Sequence, residues 1–347
     1  MSERIITYGE AIREATEQEM ARDSGVVVFG IGADDPKAIF GTTQGLLQKF
    51  GPQRCFDTPL AEDCMTGVAI GMALAGMRPI NCHIRMDFMM LAMNQIVNIA
   101  AKAHYMYGEQ VSIPIVVRGI IGRSWGQGAQ HSQALHALFM HTPGLKVIAP
   151  ATPYDVKGAL VQAIRDPDPV IFIEQRMLHY QKGPVPEELY TVPFGKARVL
   201  AEGKDITLVG ISWTTVECLR ARALLKEAGI DAAVVDTLSL SPLDDATMAE
   251  SAARTGRLLA VDNGWTMCGA SAEILARLVE RFGPAKPVHL RRMGFAPTIC
   301  PATKNLENEF YPDASKIAAA AHEMVRGTKR TWPFKDAQEI INFRGPF

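Results

Sequence analysis

Paired cysteines are missing from this chain. Its six cysteines, Cys55, Cys64, Cys82, Cys218, Cys268 and Cys300, are scattered, with no CxxC pair and no Cys/His spacing of a zinc site. That argues against a disulfide framework and predicts mostly buried thiols in a reducing cytoplasm. Excess charge is missing too. Lys+Arg 36 stand against Asp+Glu 37, so no global field exists to draw in nucleic acid or an anionic membrane. Long apolar runs are absent: the longest strongly apolar uncharged stretch, 88–101, has 14 residues, short of a bilayer span. Glu3, Arg4, Glu10, Arg13 and Glu14 crowd the first turns, unlike a secretory signal. Nucleotide loops are absent as well. There is no Walker A motif, and although Gly30-Ile31-Gly32 follows an apolar run, Asp35 stands where a dinucleotide fingerprint needs its third glycine.

What is present is an ordinary globular composition, 48% hydrophobic and 21% charged over 347 residues. That length predicts two domains. Apolar runs and helical patterns alternate. Thr7-x-x-Glu10 reads as a capping box opening a helix. Strands are expected at 26–29, 79–84, 113–118, 146–149 and 170–173, and helices at 63–75, 88–102 (a buried one), 132–140 and 153–165. The stretch 182–196, with Gly183, Pro184, Pro186 and Pro193, breaks the rhythm and reads as an interdomain linker. Alternation then restarts, with strands at 206–211, 232–236, 258–261 and 288–290 and helices at 216–228, 243–253, 270–281 and 313–326. Such alternation predicts α/β domains with parallel sheets. In the tail, 328–347, Trp332, Phe334, Phe343 and Phe347 suggest packing on something.

Open α/β sheets bind ligands beyond the carboxyl ends of their strands. That directs attention to the loops near Gly30, Asp57 to Asp63, Arg85 to Phe88, and Gly119 to His131. Glu62 precedes an apolar helix, where a carboxylate favoured by the helix dipole is the simplest reading. Phe88 on its own reads as helix core, and His131 as a polar loop residue. Arg85 reads either as an ion pair with Asp87 or as an anion contact through its planar fork. Gly122-Arg123-Ser124-Trp125-Gly126 matches the G-x-S-x-G elbow of serine hydrolases, but a loop composition follows it where a helix should. Ser124 therefore stands as a remote hydrolase alternative.

Several motifs together resemble one family. They are Gly45-Leu46 with Lys49-Phe50-Gly51, Asp57-Thr58-Pro59 with Glu62, Ala75-Gly76-Met77-Arg78-Pro79-Ile80, Asp87-Phe88 and Gln95-Ile96-Val97-Asn98. Gln130-His131-Ser132-Gln133, His141-Thr142-Pro143-Gly144-Leu145-Lys146-Val147, Ala163-Ile164-Arg165-Asp166 and Leu238-Ser239-Leu240-Ser241-Pro242-Leu243-Asp244 continue the series. In this order they resemble the β subunits of the thiamine-diphosphate-dependent decarboxylating component of pyruvate, branched-chain and acetoin dehydrogenase complexes, over about residues 5 to 325.

The resemblance implies two three-layer α/β domains: a transketolase-like pyrimidine-binding domain at 1–181, then, after the linker 182–196, a transketolase C-terminal domain at 197–327. It implies an α2β2 heterotetramer whose α subunit holds the coenzyme diphosphate and its Mg²⁺, since this chain has no Gly-Asp-Gly…Asn-Asn motif. By match to the family, Glu62 is the carboxyl that activates the pyrimidine from a dry cleft, Phe88 and Ile84 hold the ring, and His131 serves substrate or acceptor. His136 and His141 are expected to be structural. Ile115, Ala163, Ile164, Asp166 and Asp168 match a monovalent-cation (K⁺) site of backbone carbonyls. The expected activity is oxidative cleavage of a 2-oxoacid or acyloin, with transfer to a lipoyl acyltransferase. Departures are the late acids Asp34 and Asp35, Arg85, and the run from Thr298 to Glu307. They admit a split transketolase-like carboligase instead; a non-catalytic scaffold is a further alternative.

Overall fold

The computed structural model describes residues 4–35, 38–123, 126–284 and 288–335. Its strands are β1 (Ile5–Thr7), β2 (Val26–Gly30), β3 (Cys55–Phe56), β4 (Arg78–His83), β5 (Val116–Ile121), β6 (Lys146–Ile148) and β7 (Val170–Gln175). They continue as β8 (Lys182–Pro184), β9 (Arg198–Ala201), β10 (Ile206–Gly210), β11 (Ala232–Asp236), β12 (Ser239–Ser241), β13 (Arg257–Trp265) and β14 (His289–Phe295). A seven-stranded sheet runs β12-β6-β7-β5-β4-β2-β3, and a five-stranded one β14-β13-β10-β11-β9. Every neighbouring pair in them is parallel except the edge pairs β12–β6 and β11–β9.

Both faces of the first sheet are covered, which is why its strands read as continuous apolar runs. The period of two sorts the side chains. Val27, Phe29, Val117, Ile171 and Ile173 face the helix Glu62–Leu74 and the helical stretch after β4. Val26, Val28, Ile80, Val116 and Phe172 face the helices Tyr8–Arg22 and Pro153–Arg165. The first of these cores continues through Val209, Val235, Leu258 and Ala260 of the second sheet, so the two sheets share apolar packing. The other face of the second sheet packs on the helices Trp213–Glu227 and Ala314–Arg326. The α/β architecture expected from the alternation is present, and Thr7 and Glu10 form the capping box.

One expectation needs correction. The segment expected as one buried helix at 88–102 is a 3₁₀ turn over Met86–Ala92, a π-helical turn over Asn94–Ala100 and an α-helix over Ala101–Met106. One side packs (Met89, Ala92, Ile96, Ala100), and the other faces out with Leu91, Ile99 and Tyr105 exposed among the polar Asn94, Asn98 and His104. The stretch read as a linker is stitched to the first sheet's helices. β8 pairs antiparallel with β1, the Val192 N–H donates to the Gly158 carbonyl, and Val185 and Val192 are buried. Gly158 permits this, since a Cβ there would sit 2.5 Å from Val192.

Pattern reading missed the edge strands β9 and β12 and the helix Lys304–Phe310, all too short to show a period. β12 comes from the second half of the sequence yet completes the first sheet. In the tail, Trp332 lies edge-on to His322, with ring centroids 5.9 Å apart; Phe334 is partly exposed. Phe343 and Phe347 lie outside the described residues. Of the six thiols, none is in a disulfide, and four are buried; Cys64 and Cys268 are exposed.

Candidate active site

The carboxyl ends of β2 and β4 open into a cleft of about 220 Å³. Two local features make room for it. Gly30 has φ +150, and a Cβ there would sit 2.3 Å from the Cys82 carbonyl oxygen, so β2 and β4 close up just below the cleft. The Asp57 carboxylate accepts from the backbone N–H groups of Gly32 (2.7 Å) and Thr58 (2.8 Å), tying together the two loops that flank it.

Glu62, Ile84, Arg85, Phe88 and His131 all line this cleft, together with Met65, Asn81 and His83. Glu62 opens the helix Glu62–Leu74, whose cap residue, Ala61, makes no side-chain hydrogen bond. The carboxylate therefore sits beside backbone N–H groups without helical partners, a favourable electrostatic setting. It is half-buried rather than enclosed. The dry setting expected for it is thus not provided by this chain alone.

Phe88 and His131 meet edge to face, with centroids 5.2 Å apart at 83°, a favoured aromatic geometry. The loop carrying His131 is pinned from two sides. Arg176 donates to the His131 carbonyl at 2.6 Å. Asp87 accepts from the Gln133 backbone N–H (3.2 Å) and side-chain amide (2.9 Å). Burial raises the Asp87 carboxyl above its usual range. Burial, then the positive charge of Arg85 and of Arg176, lowers the His131 imidazole against the opposing charge of Asp87. His83 is pushed down to about 4 by burial. It contacts the Asn81 amide at 3.2 Å, and that amide also donates to Thr66 at 3.0 Å.

Arg85 does not pair with Asp87: no ion pair joins the two. It donates instead to Gln127 Oε1 and to the Ile84 carbonyl, each at 2.8 Å, and lies 5.6 Å from the Phe40 ring centre. Arg176, fully buried, reaches the same Gln127 oxygen.

The residues matched to a cation site lie elsewhere, where the helix Pro153–Arg165 turns into β7. The Ile115 carbonyl accepts from Val170 N–H (2.9 Å) and the Ala163 carbonyl from Asp166 N–H (3.3 Å). The Ile164 and Asp166 carbonyls converge on one nitrogen of Arg78, at 2.8 and 3.2 Å. The Asp166 and Asp168 carboxylates bind Lys146. Each carbonyl keeps a second lone pair for an ion. Among the described residues, no group of three or more His, Cys, Asp or Glu side chains is placed to hold a metal. Ser124 lies outside the described residues. His136 is buried and bonds Asp262 of the second sheet at 2.9 Å.

Sequence reasoning missed Asn81, His83, Gln127 and Arg176. For the first two a signal existed: polar residues at 81, 83 and 85 share one face of an otherwise apolar strand and its extension. Gln127 comes from a loop and Arg176 from the 3₁₀ turn after β7, and only folding brings them together.

The profile described as "Transketolase, pyrimidine binding domain" matches residues 4–181, and "Transketolase, C-terminal domain" matches 195–317. The chain is 43% identical over 329 residues to "Acetoin:2,6-dichlorophenolindophenol oxidoreductase subunit beta" of Cupriavidus necator, covering 92% of this chain and 97% of that protein. It is 39% identical over 319 residues to "Pyruvate dehydrogenase E1 component subunit beta" of Rickettsia felis, covering 92% and 98%. Among solved structures, "Split gene transketolase, inactive beta4 tetramer" superimposes with a TM-score of 0.75 at 23% identity, covering 94% of this chain and 99% of that one. At that identity the likeness concerns the fold.

Proposed function

The chain belongs to the transketolase-like family that joins a pyrimidine-binding domain to a transketolase C-terminal domain, and from this premise we propose that it is the β subunit of a heteromeric thiamine-diphosphate enzyme. Its reaction is the cleavage of a 2-oxoacid or acyloin next to the carbonyl, with transfer of the acyl unit, as the names of its acetoin and pyruvate dehydrogenase relatives suggest. The observation carrying this reading is the juxtaposition of Glu62 and Phe88 in one small, mostly apolar cleft at the carboxyl ends of β2 and β4.

The residues present fit half of the coenzyme. The cleft has apolar walls from Ile31, Met65, Ile84 and Phe88, and Glu62 supplies a carboxylate beside them. A flat heteroaromatic ring suits that arrangement. When bound, thiamine diphosphate supplies a nucleophilic carbon and an electron sink for the carbonyl being cleaved. Glu62 holds a proton for a ring nitrogen of the pyrimidine; Phe88 and Ile84 orient that ring. His131 accepts or donates a hydrogen bond to the substrate and can carry its proton. The diphosphate and its Mg²⁺ belong to an α subunit in an α2β2 assembly.

Exposed Leu60, Val68, Leu74, Leu91 and Ile99, on or beside the helices that border the cleft, supply apolar surface for that subunit. A lipoyl acyltransferase is the proposed acceptor. The turn at Ile115, Ala163, Ile164, Asp166 and Asp168 is the candidate for a structural K⁺. No described helix is long and apolar enough to cross a membrane, and the unpaired cysteines suit a cytoplasmic location.

The test is Glu62→Gln in the heteromer assembled with its α subunit and coenzyme. Loss of a positioned proton-transfer group predicts a fall in kcat of roughly 10²–10⁴-fold with assembly intact. Near-normal turnover would reject the assignment.

A further inference from the structure

Arg85 is a cation the proposed mechanism does not use. It lines the cleft beside Phe88 and His131, yet it is only 7% exposed. Its hydrogen-bond partners, Gln127 Oε1 and the Ile84 carbonyl, are neutral, as is the ring face of Phe40. No carboxylate lies within ion-pair distance of it among the described residues. Behind it a second guanidinium, Arg176, converges on the same Gln127 oxygen. Burying a guanidinium without an ion-pair partner is costly, and the Asp87 charge acts on Arg85 only through space. Arg85, sharing its neutral amide partner with the guanidinium of Arg176, holds positive charge at the wall of a ligand cleft.

We propose that Arg85, backed by Gln127 and Arg176, is an anion subsite, and that the donor is a 2-oxoacid carrying a second carboxylate or phosphate that it retains through the reaction. This rests on the reading of the cleft given above.

The choice of a retained anion follows from the chemistry of cleavage. When a 2-oxoacid decarboxylates, the bond between the carbonyl carbon and its carboxylate breaks, carbon dioxide leaves uncharged, and the electron pair stays with the former carbonyl carbon. A cation bound to the departing carboxylate would stabilise the ground state more than the transition state and slow the step. A cation bound to a distant anion stabilises both alike and supplies affinity and selectivity. Arg is suited to that task, because its fork meets carboxylate or phosphate oxygens in pairs.

The test compares three donors on the assembled heteromer: 2-oxopentanoate, 2-oxoglutarate and 4-phosphono-2-oxobutanoate. They share a chain length and differ at the far end. The expected result is a kcat/KM at least about 10-fold higher for an anionic donor than for 2-oxopentanoate, carried mainly by KM. The better of the two anionic donors identifies carboxylate or phosphate as the source. In Arg85→Met the anionic-to-neutral ratio should fall toward one, and Arg85→Lys should restore part of it.

A ratio of one in the wild type, or a ratio unchanged by Arg85→Met, would overturn the subsite. Calorimetric titration of the wild-type heteromer with glutarate and with pentanoate gives a reading that needs neither turnover nor a variant: glutarate should bind tighter, and equal affinities would refute the proposal. Failure of the subsite is separable from failure of the coenzyme reading. In the first case turnover still depends on thiamine diphosphate and Glu62; in the second it does not.

Discussion

The Arg118–Glu174 pair offers the sharpest stability test, because it is a charged staple inside the sheet that carries the cleft. Arg118 on β5 and Glu174 on β7 are 1% and 0% exposed. The guanidinium holds both carboxylate oxygens, the Nη2–Oε2 bond being 2.9 Å, and also reaches Thr42 (2.8 Å) and Cys82 on β4. His179 contacts the same carboxylate at 3.1 Å. One cluster thus ties three adjacent strands.

Burial alone would raise the Glu174 carboxyl, but the charge and hydrogen bonds of Arg118 and the contact with His179 outweigh it and bring it to about 2. Against an ordinary 4.5, that is about 3 kcal/mol of stability. Because the folded value is the lower one, this stability is fully present above pH 4.5. It is lost as pH falls toward 2. Glu174→Gln strands a buried cation, for which about 3–5 kcal/mol is typical, a large part of an ordinary domain's 5–15 kcal/mol.

Urea unfolding at fixed subunit concentration measures it, at pH 7 and along a series from pH 5 to 2. Arg118→Met should be similarly harmful. The double variant should lose much less than the two singles together, because no charge is then left unpaired. The reasoning fails if Glu174→Gln loses under 1 kcal/mol, if the double equals the sum, or if the variant's acid profile superimposes on the wild type's.

Two further outcomes follow from the geometry. Gly144 has φ +97, and a Cβ there would meet the Ala101 carbonyl oxygen at 2.0 Å. Gly144→Ala should therefore destabilise by about 2–4 kcal/mol from backbone strain and overpacking, read as a lower urea midpoint; an unchanged midpoint would contradict the contact. If the turn at Ile164 and Asp166 takes up K⁺, exchanging choline for K⁺ at constant ionic strength should raise the thermal midpoint, with about 2.7 kcal/mol gained at 100 times Kd. Superimposable melting curves would remove the ion.

Sequence alone determined the architecture, because hydrophobic periodicity and turn residues are local signals. The run 26–29, the helix expected at 153–165 and the capping box at Thr7 and Glu10 each declare themselves within a few residues, and all three appear in the structure. The ordered motifs around Glu62 and His131 likewise pointed to one family. They could not show that Glu62 would be half-exposed in the single chain, since burial depends on what folds over a residue. Nor could they decide between the two readings of Arg85.

Tertiary structure removed the ion-pair reading. Asp87, two positions away, is turned to Gln133, while Gln127 and Arg176 arrive from 42 and 91 positions further along. The same holds for β12, a three-residue strand that only makes sense at the edge of a sheet built by the other half of the chain. Local pattern fixes the longer elements. The long-range packing of charges, loops and edges fixes what the cleft between them presents to a ligand.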